Sequence, residues 1–272
     1  MNTVSANIVT QKNISDTRKN LSEEKSKLSD GVNTVKRAVI MAAGIGKRMQ
    51  PLTLKIPKPL IEVNGTRMID SVISALRKNG INEIYVVVGY MKEQFYKWAE
   101  KSGVTIIENP YFDTCNNISS LYAAREHLED SIILDGDQII YNDQILEPQF
   151  TLSGYNAVWS EGQTDEWLME VEDGIVRSCS RTGGAHGWQL YSVSRWSKED
   201  GRTLKELLEL EFDDKQNRDV YWDDVPMFLH PDRFKLGIRI MNREDILEID
   251  SIHELAEIDS KYKELAESCY GK

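Results

Sequence analysis

The chain has 272 residues, 40% of them hydrophobic, and a formal net charge of −11. That apolar content suffices for a buried core and excludes disorder throughout, while the acidic balance excludes a basic footprint for nucleic acid or an anionic membrane surface. No apolar run reaches bilayer length, and the start MNTVSANIVTQKN lacks a signal-peptide layout.

The 3 cysteines, Cys115, Cys179 and Cys269, are scattered without a CxxC, which predicts free thiols in a cytoplasmic protein. Residues 1–36 form a polar, charge-mixed arm, either mobile or a short helix bearing Ile14, Leu21 and Leu28 at sevenfold spacing. There is no internal repeat. From residue 37 the pattern alternates between elements. RAVIMAA is a compact apolar run ending at a glycine and predicts a buried strand. TRMIDSVISALRKNG predicts a helix with Met68, Ile69, Val72, Ile73 and Leu76 on one face and a stop at Gly80.

EIYVVVG and VTIIEN predict two further strands, separated by a helix over MKEQFYKWAEKSG. NISSLYAAREHL predicts another helix and SIILDGD a fourth strand. Alternation at this spacing implies a parallel sheet covered on both faces. Ligands of such sheets bind beyond the carboxyl ends of the strands, where AAGIGKR and DGD fall.

After about residue 150 the strands become shorter and more aromatic: AVWSEG, WLMEVED, GIVRSCS and GWQLYSVSRW. KEDGRTLKELLELEF reads as a surface helix, and Trp188 and Trp196 as core. The closing LEIDSIHELAEIDSKYKELAES predicts a helix over 251–268 with a capping box between Ser251 and Glu254. Asp250 then sits between a strand end and a helix start.

The stretch GIGKRMQPLTLKIPKPL gathers positive charge in an acidic chain. Gly44 and Gly46 follow a predicted strand and precede a predicted helix, so their amides can cradle an anion. The Walker sequence is absent, and the third glycine of the dinucleotide fingerprint is missing. Arg48 and Lys58 supply point charges, and Pro57 and Pro59 stiffen the path that aims Lys58.

Asp135 and Asp137 lie on one side of a strand end, beside the expected phosphates, as a magnesium site requires. The same spacing also suits an Asp-rich turn. In the second half, Trp167, Tyr221 and Trp222 stand among carboxylates, including Asp219 and Asp223, as recognition of a quaternary ammonium requires, although aromatics at strand spacing equally suit a core.

The glycine-loop string resembles the G-x-G-x-R-x-x-P-L-T-x-x-x-P-K-P-L signature of the sugar-phosphate nucleotidyltransferases. That resemblance implies phosphate contacts from Gly44, Gly46, Arg48 and Lys58, with Ala42 and Ala43 alongside, and a metal held by Asp137 and Asp250. A closer resemblance, carried by NGINEIYVVVGYMKEQF, ENPYFDTCNNISSLYAAREHL, DVYWDD and LEIDSIHEL, is to the bacterial CTP:phosphocholine cytidylyltransferases. It implies CTP as donor, phosphocholine as acceptor and Mg²⁺ as cofactor. It places Asn116, Asn117 and Ser119 near the nucleotide, Trp167 and Tyr221 in a choline pocket, and Asp219 nearby.

The expected fold is therefore α/β and Rossmann-like, with a mostly parallel central sheet flanked by helices and a smaller β-rich acceptor part. The expected organisation is an arm over 1–36 and a nucleotidyltransferase domain over 37–272. That domain divides into a nucleotide half at 37–150, an acceptor part at 151–250 and a closing helix. The expected catalytic residues are Lys58 and Arg48. The alternatives are another acceptor (2-aminoethylphosphonate, phosphoethanolamine or a sugar 1-phosphate) or a catalytically silent nucleotide-binding regulator.

Overall fold

The computed structural model describes residues 31–269, so the Ile14, Leu21 and Leu28 stripe lies outside the described residues. The last residues of the polar arm belong to the body. Asn33 and Thr34 pair antiparallel with Phe150 and Gln149, and the Val35 N–H donates to the Pro148 carbonyl.

One nine-stranded sheet runs through both halves of the chain. Its strands are β1 (Arg37–Ala42), β2 (Glu83–Val88), β3 (Thr105–Glu108), β4 (Ser131–Asp135) and β5 (Gly154–Ser160), followed by β6 (Leu168–Glu172), β7 (Ile175–Ser180), β8 (Gly187–Trp196) and β9 (Gly237–Ile240). The first four are all parallel: β1 lies between β2 and β4, and β3 flanks β2. The long β8 then runs antiparallel to β4, pairs with β5 along its length, and meets β6 at its start. The second half is thus mainly antiparallel, with β9 parallel to β5.

Alternation along the strands divides the core. Ala38, Ile40, Val86, Val88, Ile132 and Leu134 pack on one face; Val39, Val87 and Ile133 pack on the other with Trp188 and Trp196. The first face is covered by α1 (Met68–Lys78), whose predicted apolar stripe is entirely buried, and by α2 (Glu93–Ser102), through Phe95, Trp98 and Ala99. α1 ends as the sequence predicts. Gly80 adopts a φ of 77°, its N–H bonds to the Arg77 carbonyl, and the Ile81 N–H bonds to the Leu76 carbonyl. The opposite face holds α3 (Ile118–Ala123) and α4 (Lys198–Glu209), the latter burying Leu204, Leu207 and Leu208.

Two of the helices expected beyond the glycine loop differ. α3 is one and a half turns long and passes into a 3₁₀ turn at Arg125–His127. The closing helix is broken into α5 (Ile252–Ile258) and α6 (Lys263–Cys269), because Asp259 adopts an extended conformation and its carboxylate accepts the N–H groups of Asn64 and Lys261. The Ser251–Glu254 capping box forms as predicted. Among the described residues no helix is long and apolar enough to cross a membrane.

A candidate nucleotidyl-transfer site

A cavity of about 690 Å³ opens beyond the carboxyl ends of β1 and β4. Its floor is the glycine loop. The sequence leads one to expect an α-helix after Gly46, but the chain makes only a 3₁₀ turn at Lys47–Met49. The loop therefore has no α-helix dipole behind it, and its anion cradle is backbone amides alone. Gly46 adopts a φ of 66°, and a Cβ there would lie 3.0 Å from Thr53 Cγ2. Thr53 holds the turn by donating its hydroxyl to the Gly46 carbonyl at 2.8 Å. Above Gly44 the space is open for 4 Å around the position a Cβ would take.

The proline-spaced segment does what its stiffness predicts. Pro57 is extended, Lys58–Leu60 forms a 3₁₀ turn, and Ile61 and Val63 anchor it in a third apolar cluster with Met49, Ile249, Ile252 and Leu255. That cluster joins the segment to α5 and delivers Lys58 to the cavity. The Lys58 Nζ lies 2.7 Å from Asp137 Oδ2 and 2.9 Å from Asp250 Oδ1. Burial opposes the charge on Lys58, but the two carboxylates outweigh it and hold its pKa above the ordinary lysine value. Arg48 stands on the rim, mostly exposed, with Nη2 3.0 Å from the same Asp250 oxygen.

A short antiparallel ribbon brings the distant carboxylates together. Gln138–Ile140 pairs with Ile246–Glu248, setting Gln138 opposite Glu248. Single carboxylate oxygens of Asp135, Asp137 and Glu248 thereby lie within 4.8 Å of one another, a spacing that suits one cation. Burial and the charge of Asp137 push Asp135 up to about 8, and Glu248, although more exposed, is also raised by desolvation and the charges of Asp137, Asp135 and Asp250. Asp137 Oδ1 is buried without a hydrogen-bond partner among the described residues. An orphaned oxygen among mutually repelling acids fits a hard divalent cation such as Mg²⁺. Asp250, expected as the second ligand, lines the same cavity, where its Oδ1 meets Lys58 and Arg48. Glu248 was not singled out from the sequence, although Glu248 and Asp250 repeat across the ribbon the alternate spacing of Asp135 and Asp137.

Ala42, Ala43, Gly44, Gly46, Arg48, Lys58, Asn117 and Ser119 line the same cavity as Asp137 and Asp250. The side chains of Asn117 and Ser119 also bond within the protein. Asn117 Oδ1 accepts the Trp222 N–H at 2.8 Å, and the Ser119 hydroxyl donates to the Asn116 carbonyl at 2.8 Å. Asn116 accompanies them: its N–H donates to the Arg218 carbonyl and its Nδ2 to the Asp219 carbonyl. The loop before α3 is thus fastened to segment 218–222.

Tyr221 is half exposed and lines the cavity, with its ring edge-on to Trp167 at 5.8 Å. Trp167 stands one ring further out. Trp222 is buried against Tyr155 and Trp196. Asp219 is exposed and does not line the cavity; only its carbonyl joins the network, through Asn116. Asp223 is closer to the chemistry: its charge is among those that raise Asp135.

Residues 38–179, spanning the glycine loop, the acid-bearing β4 and the strands up to β7, match the family model described as a MobA-like NTP transferase domain. The chain belongs to this family. The similarity extends to 2-aminoethylphosphonate cytidylyltransferase of Lancefieldella rimae, 38% identical over 236 residues that cover 85% of this chain and 95% of that one. Choline-phosphate cytidylyltransferase of Streptococcus pneumoniae is 31% identical over 236 residues, covering 84% of this chain and 98% of that one. The solved structure of the Streptococcus pneumoniae CTP:phosphocholine cytidylyltransferase superposes with a TM-score of 0.75 at 30% identity, over 84% of this chain and 98% of that one. The chain is a nucleotidyltransferase with the Rossmann-like α/β fold of this family, and the resemblance of its motifs to bacterial choline-phosphate cytidylyltransferases is borne out.

Proposed function

We propose that the protein transfers CMP from CTP to phosphocholine, giving CDP-choline and pyrophosphate. The observation that carries this reading is the buried Lys58 ammonium, set between Asp137 and Asp250 beside the glycine loop. An acceptor phosphate oxygen attacks the α-phosphorus in line. The new P–O bond forms as the bond to the β-phosphate oxygen breaks, and pyrophosphate leaves with the electron pair. The acceptor phosphate is already anionic near neutral pH, so no side chain need remove a proton.

The protein's work is positioning and charge neutralisation. The glycine-loop amides receive the triphosphate, Arg48 closes over it from the rim, and Lys58 stabilises charge developing on the α-phosphoryl group. Asp137, with Asp135, Glu248 and Asp250 around it, would hold Mg²⁺, which when bound offsets repulsion between the two anions. Trp167 and Tyr221 present faces to the trimethylammonium group. In this reading residues 37–150 serve the nucleotide and 151–250 the acceptor, and the enzyme works in the cytoplasm, where its free thiols stay reduced.

A second reading has 2-aminoethylphosphonate as acceptor, and the 38% identical relative of that name favours it. The experiment is a matrix of four nucleoside triphosphates against phosphocholine, 2-aminoethylphosphonate, phosphoethanolamine and glucose 1-phosphate, scored by pyrophosphate release with Mg²⁺. Release with CTP alone among the nucleotides, greatest with phosphocholine, is the expected result. Release confined to 2-aminoethylphosphonate selects the second reading, and no release with any pair favours a silent regulator.

A further inference from the structure

The aromatic cluster on the acceptor side already holds a cation. Trp167 meets Tyr221 edge-on and Phe228 edge-on at 5.4 Å. The Arg181 guanidinium carbon lies 3.9 Å from the Phe228 ring centre and 6.0 Å from that of Trp167. The arrangement is anchored from below. Arg181 Nε and Nη2 lie 2.8 and 2.5 Å from Asp224 Oδ1, and Asp224 is only 3% exposed. The second oxygen of Asp224 accepts the N–H of Tyr221 at 2.9 Å. Expelling Arg181 would leave a buried carboxylate without its cation, so the pair persists.

The loop bearing Arg181 is also clamped to the loop leading to Trp167. Thr164 and Gly184 exchange two backbone hydrogen bonds of 3.0 Å. Gly183, with a φ of 70°, lies so close that a Cβ there would stand 1.8 Å from the Thr164 carbonyl oxygen. Arg181 and Trp167 therefore keep a fixed relation.

We propose that Arg181 is a specificity-determining residue: by holding the cation position of the Trp167–Phe228 cluster, it narrows the enzyme's preference for quaternary over primary ammonium acceptors without reversing it. The inference rests on the cytidylyl-transfer reading and deepens its acceptor side. A quaternary ammonium has no N–H and depends on aromatic faces. Here one face is filled, a loss that a quaternary ammonium cannot make up by hydrogen bonding. A primary ammonium can turn instead to carboxylates, of which Asp223 lies two residues beyond Tyr221.

The test compares kcat/KM for phosphocholine and for 2-aminoethylphosphonate, with CTP and Mg²⁺, in the full chain. Four proteins are measured: wild type, Arg181→Lys, Arg181→Ala, and Arg181→Ala combined with Asp224→Asn. The double variant removes the ion pair as a unit, so the test survives if Arg181→Ala alone misfolds. The phosphocholine to aminoethylphosphonate ratio should rise about tenfold in the alanine variants, the worth of one desolvated cation–π contact. Arg181→Lys, which keeps the charge and loses the planar stack, should fall between. A merely structural role would lower both values together. An unchanged ratio in a folded, active double variant overturns the inference alone. No transfer by wild type to either acceptor overturns the reading, and the inference with it.

Discussion

Lys58 Nζ stands 2.7 Å from Asp137 Oδ2, occupying a position between acids where a divalent cation would also be drawn. A cation held by Asp137 would share these carboxylates with the ammonium of Lys58. Lys58→Met should lower kcat by at least about a hundredfold, the loss typical of one electrostatic donor to a transition state. The same variant should bind Mg²⁺ more tightly without nucleotide, as read by calorimetry. Near-normal turnover in a folded variant would refute the role of Lys58.

Glu248 reaches the acid cluster only through the ribbon with Gln138, and its contribution is separable from activity. Mg²⁺ should raise the thermal midpoint of the nucleotide-free protein, because binding to the folded state alone stabilises it by mass action. Glu248→Gln should shrink that increment while raising the midpoint at pH 9 in the absence of metal. The latter follows because a carboxylate whose pKa is raised in the fold by desolvation and by the charges of Asp137, Asp135 and Asp250 destabilises it once ionised. An unchanged Mg²⁺ increment would remove Glu248 from the site.

Asp223 gives a second pH signature. Burial pushes its carboxyl up to about 7, above the value in an unfolded chain. The folded state therefore holds the proton longer, and its stability falls as pH rises from about 4 to about 7, by at most a few kcal/mol. Asp223→Asn should match wild type below pH 4 and exceed it increasingly up to pH 7, with a plateau above. Denaturant titrations across that range measure the difference, and a constant offset would contradict the assignment.

Asn117 lines the nucleotide cavity while its Oδ1 holds the Trp222 N–H at 2.8 Å. Asn117→Ala leaves a buried donor next to Tyr221 unpaired, at a cost of about 1–3 kcal/mol. The acceptor KM should rise more than the CTP KM. The opposite split would make Asn117 principally a nucleotide contact.

Gly46→Ala tests the cradle. Its φ of 66° and the 3.0 Å approach to Thr53 Cγ2 both oppose a side chain. The left-handed conformation alone costs about 1–2 kcal/mol outside glycine. The CTP KM should rise several-fold with little change in the acceptor KM, measured by pyrophosphate release at saturating co-substrate.

The sequence alone determined the elements whose patterns are local. The strand–helix alternation, the buried stripe of α1, the stop at Gly80 and the Ser251–Glu254 cap all follow from side-chain periodicity and the conformational freedom of one residue. GIGKRMQPLTLKIPKPL likewise carries its own geometry, because glycine opens the backbone and proline aims Lys58. Tertiary structure decided what depends on pairing between distant segments. Glu248 joins Asp135 and Asp137 because two short strands more than a hundred residues apart share hydrogen bonds. Asp219, with the right chemistry in the sequence, faces outward, while the charge of Asp223 is felt at Asp135. Arg181 enters the aromatic cluster because buried Asp224 requires a cation, a demand that arises only once the chain is packed.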